Sequence, residues 1–183
     1  HDETLTLQTG TPTRDNYRFR GWSASSSATS ATYQAGGSFT TNANTTLYAV
    51  WQAIYTISYN ANGGSGAPLA QTKYHGESIT LSTTTPSRNG YRFRGWSASN
   101  SATSATYAAG ASYTAEGNAT LYAVWQAMYT VSYDANGGSG APSAQTKYHG
   151  EALTLSSTKP TRTYYDFLGW STSSTATSAT YAA

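Results

Sequence analysis

Three histidines, His1, His75 and His149, recur at an interval of 74 residues, so each interval carries one imidazole and no His-x-x-His pair exists. A zinc site needs three or four converging ligands, and side chains spaced along a linear array do not converge without neighbouring copies folding together. Each is better read as a histidine on a strand surface. Glu77 and Glu151 follow the last two histidines by two positions, and Asp134 could approach Glu151 across a hairpin. A carboxylate pair able to cleave a glycosidic bond would need both acids in every working copy. The second copy has Asn60 where the third has Asp134, which argues against that chemistry.

Serine and threonine are abundant, but no Gly-x-Ser-x-Gly elbow appears. The glycine-rich Asn62-Gly-Gly-Ser-Gly66 joins two apolar alternations and leads into no helix, so it lacks the amide array that cradles phosphate and reads as a turn. Asp134-Ala-Asn136-Gly lacks the distal bidentate glutamate of a calcium loop. Lys73 and Lys147 sit on alternating segments near Asn60, Asn62 and Glu77, the ingredients of a lysine–asparagine crosslink, although Asp134 replaces Asn60 in the third copy. No catalytic, cofactor-binding or metal-binding residue is assigned. The expectation is a protein that is not an enzyme and takes no cofactor.

The interval itself is the dominant signal. Trp22, Trp96 and Trp170 each end a Tyr-x-Phe-x-Gly-Trp segment, and Pro12, Pro86 and Pro160 keep the same spacing, as do Trp51 and Trp125. Residues 55–109 align with 129–183 without a gap, and about 40 of the 55 positions are identical. The chain therefore reads as a tandem array with a period of 74. Residues 1–52 form a partial repeat lacking its first hairpin, 53–127 a complete one, and 128–183 a partial one lacking its last strand. Such a window fits a longer array, or a folded unit whose phase differs from that of the sequence unit.

Composition sets limits. With 183 residues, a net charge of +2 and only 10% charged side chains, there is no basic face for nucleic acid. Cysteine is absent, which removes disulfide stapling. No apolar run is long enough to insert in a membrane. Sixteen Tyr, five Trp and four Phe supply the volume that a module of this size needs for a core. The richness in Ser, Thr, Gly, Asn and Tyr favours strands and turns over helices.

Within the complete copy, Tyr55-Thr-Ile-Ser-Tyr59 alternates and predicts a strand with Tyr55, Ile57 and Tyr59 inward. Asn60–Gly66 predicts a hairpin turn, Gln71–Tyr74 the return strand, Gly76 a bulge, and Ile79 with Leu81 the inward face of its continuation. Residues 82–88 read as an irregular crossing. In Tyr91-Arg-Phe-Arg-Gly-Trp96, Tyr91 and Phe93 are expected in the core and Arg92 and Arg94 in water, where Asp166 and Leu168 could replace them. Gly95 would kink the strand and turn Trp96 inward. Residues 97–115 predict a long loop or short edge pieces, and Thr120–Trp125 a central strand. Gln126-Ala-Met128 reads as a linker of three residues that makes neighbouring modules nearly touch.

The segments Tyr-Thr-Val-Ser-Tyr-Asp-Ala-Asn-Gly-Gly (129–138), Pro-Ser-Arg-Asn-Gly-Tyr-x-Phe-x-Gly-Trp (86–96) and Thr-Leu-Tyr-Ala-Val-Trp (120–125), in this order within a unit, resemble the Listeria/Bacteroides repeat family, also called the internalin B-repeat. Tyr164 departs from its pattern at the position of Gly90. The resemblance implies a mainly β, β-grasp-like module with little or no helix, arrayed in secreted or wall-attached bacterial proteins between an anchor and a distal domain. The expected role is a stalk outside the cell whose partners are neighbouring repeats. An adhesive array is the alternative, gripping a host receptor or polysaccharide through the aromatic residues expected at the surface, Tyr107, Tyr113 and Tyr122. A further alternative is a fibre assembled by strand exchange.

Overall fold

The computed structural model describes residues 3–183, so His1 lies outside the described residues. These residues form strands, turns and loops without a helix, a mainly β protein as composition predicts. Contacts divide the chain into two compact units, one containing the residues up to Pro86 together with Gly95–Val124, the other Ser87–Arg94 together with Trp125–Ala183.

In the first unit, β1 (Leu5–Thr6) pairs with β3 (Ser38–Phe39), and β2 (Tyr17–Ser23) runs antiparallel to β4 (Tyr48–Asn60). The register of β2 slips between Phe19 and Gly21, a bulge that lets the motif tryptophan change face. β4 is 13 residues of mostly β-branched and aromatic side chains. Its second half forms the predicted hairpin with β5 (Gln71–Tyr74), in the register Ile54↔Tyr74 to Ile57↔Gln71. Asn62 and Gly63 supply the positive φ of the turn, at 49° and 85°. The end of β4 then pairs in parallel with the start of β9 (Ala119–Val131), Ile57↔Ala119 through Asn60↔Tyr122. Short β6 (Ile79–Thr80) pairs with β8 (Ser112–Tyr113), an edge piece inside the long loop.

β7 (Tyr91–Ser97) pairs with β9, so the first half of β9 has strands on both sides, the central place expected for Thr120–Trp125. The core of the second repeat follows: Ile57, Leu81, Trp96, Leu121, Ala123 and Val124 are buried, each large side chain contributing about 1.5–3 kcal/mol. Tyr59 packs edge-on against the Trp96 indole at 4.8 Å. Gly95 has φ 133°, and a Cβ there would stand 2.4 Å from the Tyr107 carbonyl oxygen, so only glycine lets the loop close on Trp96. That closure is a two-way backbone bridge, Trp96 N to Tyr107 O at 2.7 Å and Tyr107 N to Trp96 O at 3.0 Å.

In the second unit, β10 (Gln145–Tyr148) pairs antiparallel with the end of β9, Gln145↔Val131 to Tyr148↔Met128. Bridges Arg162↔Tyr165 and Trp170↔Tyr181 reproduce Arg88↔Tyr91 and Trp96↔Tyr107, so the third copy keeps the register of the second. Tyr164 keeps the turn of Gly90 by adopting φ 66° itself, fully exposed.

Two expectations are corrected. Gly76 does not bulge a continuous strand; it sits at φ 77° in a turn that separates β5 from β6. Nor is there a linker at 126–128. β9 runs through these residues, as β4 runs through the equivalent 52–54, because the alternating pattern never breaks at the sequence boundary.

Candidate functional site: the repeat junction

The densest polar constellation among the described residues gathers where one sequence copy meets the next. Arg18 on β2 lays its guanidinium over the Tyr74 ring, 3.7 Å from the centroid. It donates from Nε to Gln52 Oε1 at 2.9 Å and from Nη2 to Glu77 Oε1 at 2.6 Å. Gln52, at the middle of β4, donates from Nε2 to the His75 carbonyl at 2.6 Å and to Glu77 Oε1 at 3.1 Å. One arginine thus joins an aromatic face, an amide and a carboxylate from two copies. The planar guanidinium fork allows this, and a lysine could not reproduce it.

The arrangement recurs 74 residues later. Arg92 covers the Tyr148 ring at 3.7 Å, donates to Gln126 Oε1 at 2.7 Å and pairs with Glu151. Gln126 donates to the His149 carbonyl at 2.7 Å and to Glu151 at 3.1 Å. Arg94 stands 4.0 Å from the same carboxylate. Arg92 was expected in water; its side chain is instead 29% exposed and held by Tyr148, Gln126 and Glu151. The signal for this was present: Arg18 with Glu77 and Arg92 with Glu151 keep a spacing of 59, and the arginines are absent from the third copy.

A second cluster fastens the end of the first hairpin in the second repeat. The buried Lys73 ammonium donates to Glu116 Oε1 at 3.0 Å, and the Gly76 amide donates to the same oxygen at 3.0 Å. His75 Nδ1 lies 3.2 Å from Glu116 Oε2 and 3.2 Å from the Tyr55 hydroxyl. Glu116 titrates below its ordinary value of 4.5, first because of the Lys73 hydrogen bond and then the Gly76 amide. Burial raises the Tyr59 phenol, an effect partly offset by the Ser82 amide that donates to its oxygen.

The other sequence candidates are dispersed. His75 and His149 lie in turns after β5 and β10, each against a tyrosine hydroxyl. Asp134 accepts the Asn136 amide at 2.7 Å while Glu151 serves Arg92, so the two acids are committed to different structural tasks. Asn60 likewise accepts the Asn62 amide, while the Lys73 amine is held by Glu116. Tyr113 was expected at the surface but is 4% exposed, because β8 turns it onto the core, and burial raises its phenol. Tyr107 packs edge-on against it at 5.1 Å and is half-buried, as is Tyr122. In the third repeat, Tyr133, Leu155, Phe167 and Trp170 line an open groove of about 1090 Å³. Among the described residues no group of three His, Asp or Glu side chains is placed to hold a metal ion.

The repeated motifs, the strand order and the twice-built junction coincide with a match to the Listeria-Bacteroides repeat domain over residues 1–50, 55–124 and 129–183. The chain belongs to this family. Two curated relatives come from Evansella cellulosilytica. One, provisionally named a Gly-rich membrane protein, is 32% identical over 160 residues, covering 86% of this chain and 18% of its own length. The other, provisionally named a membrane protein, is 35% identical over 127 residues, covering 68% of this chain and 18% of its own length. The chain therefore spans about a fifth of each of these relatives. No solved structure matches it. Among the described residues no helix is long and apolar enough to cross a membrane.

Proposed function

We propose that this chain is a non-catalytic stalk segment of a bacterial surface protein, holding a distal domain away from its anchor outside the cell. The observation that carries the reading is the junction at residues 52–54, where a continuous strand passes from one copy to the next and the Arg18, Gln52 and Glu77 side chains brace it. A strand with paired neighbours resists bending where a flexible linker would not, so each added copy extends the array by a fixed step. The naming of both relatives as membrane proteins, in which a stretch like this chain is a small part, supports a place beside an anchor. The β-grasp likeness rests on the parallel pairing of the first and last strands of the complete repeat. Small-angle scattering of the 183-residue chain tests the reading: a rod-like profile is expected, and a profile of freely jointed beads would overturn it.

Strand exchange into fibres is a second reading with one observation in its favour. Residues 58–60 pair with 120–122, whereas their counterparts 132–134 have no strand partner. A mass that rises with concentration would support it, and a monomer at millimolar concentration would count against it.

A further inference from the structure

The junction constellation is built from the same residue types twice, and its third instance is altered in a specific way. Asp166 occupies the register position of Arg18 and Arg92, and Leu168 that of Arg94. The backbone bridges on either side of this segment are the same in both copies, although residues 166–169 form no strand, and Asp166 is exposed with an opposite charge. Thr161, Thr163 and Tyr164 also replace Ser87, Asn89 and Gly90, while Arg162 stacks on Tyr165 as Arg88 does on Tyr91, and Phe167 meets Trp170. The reversal of charge at 166, together with the loss of the second cation at 168, is a change in what the face can pair with.

We propose that position 18/92/166 and position 77/151 are the specificity determinants of the junction. An arginine-bearing face accepts a module whose turn reads Tyr-His-Gly-Glu, and the face bearing Asp166 and Leu168 accepts a module with a basic side chain in place of that glutamate. On the arginine face the glutamate meets the fork of a ring-stacked arginine and the Gln52 or Gln126 amide. On the aspartate face the same glutamate would meet a like charge with no second cation beside it, because Leu168 removes the partner that Arg94 supplies. A lysine or arginine there would instead pair with Asp166 and lay its methylene stem on Leu168, which is 72% exposed. Specificity of this kind comes from the repulsion of wrong neighbours as much as from attraction to the right one. The pairing rule holds whatever role the array plays in the cell, so it stands apart from the stalk reading.

The second junction in the intact 183-residue chain allows a direct test, since Arg92→Asp with Arg94→Leu gives it the face of the third copy opposite a turn that can be varied. Four chains are compared by hydrogen exchange at the Tyr148 and His149 amides at low salt: the parent, Glu151→Lys alone, the double replacement at 92 and 94, and that double replacement with Glu151→Lys. A crossover is expected. Lysine at 151 should speed exchange about tenfold on the arginine face and slow it by a similar factor on the aspartate face, and 1 M salt should erase both effects. The same ranking of glutamate over lysine on both faces would overturn the proposal. Arg92→Gln with Arg94→Leu keeps the test readable should the aspartate face loosen the strand: with both cations gone, the preference for glutamate at 151 should shrink to what the Gln126 amide alone supports, and a preference as large as the parent's would also overturn the rule.

Discussion

The second and third repeats share about three residues in four over 55–109 and 129–183, yet they are packed differently. Trp96 is fully buried, Trp170 is 9% exposed, and Tyr165 and Leu168 are 64% and 72% exposed. β7 is a seven-residue strand, whereas its counterpart in the third repeat forms isolated bridges. Beside their substitutions, one component sets the second apart: there, Leu121, Ala123 and Val124 of β9 lie against the core between β4 and β7. The aromatic motif therefore sets register and turn geometry by itself, but its burial depends on an apolar strand that arrives later in the sequence. The groove lined by Phe167 and Trp170 occupies the corresponding place in the third repeat.

Replacing each motif tryptophan by alanine breaks the comparison most severely. Trp96→Ala should cost about 3–5 kcal/mol, since the buried indole leaves a cavity, and Trp170→Ala should cost less; chemical denaturation followed by exchange at repeat-specific amides checks this. Gly95→Ala and Gly169→Ala should by contrast be nearly equal, each above about 1 kcal/mol. Their Cβ atoms would meet the Tyr107 and Tyr181 carbonyl oxygens at 2.4 and 2.5 Å, and this local closure is the same in both copies. A large difference in thermal midpoint between the two variants would show that the closure is not independent of the core. Tyr164→Gly should stabilise the third repeat by about 1 kcal/mol, because it relieves a left-handed tyrosine whose ring touches nothing that offsets the strain.

The smallest effect concerns Glu116, whose position in the first repeat is Asn42. Its carboxyl titrates lower when folded than its ordinary 4.5, so its contribution to stability is complete above pH 4.5 and disappears as the pH falls through the lowered value. Glu116→Gln should therefore lower the thermal midpoint at neutral pH and make no difference well below pH 4. An offset that survives at low pH would show that the carboxylate charge is not what holds Lys73.

Period-two alternation made the strands legible, as at Tyr55–Tyr59, and Asn-Gly made the hairpin turn legible, because both signals are local. Gly95 and the inward turn of Trp96 followed from a kink next to a large side chain. The junction was harder to see. Arg92 looks solvated by alternation alone, since its partners Gln126 and Glu151 lie 34 and 59 residues away in the chain. Tyr113 was misplaced for a related reason: a two-residue edge strand paired with Ile79 and Thr80 leaves almost no periodic trace, yet it is enough to turn the ring inward. The missing linker was the clearest error of phase, because a sequence period says how long a unit is and nothing about where the backbone is cut.

β4 belongs to two copies at once, and this has a genetic consequence. Duplication or loss of a coding stretch one whole period long, wherever its ends fall, regenerates an unbroken junction strand with its arginine, glutamine and glutamate in place. Gain of a single codon within that strand would send every following side chain to the opposite face of the sheet. Length should therefore evolve in whole steps of 74 residues.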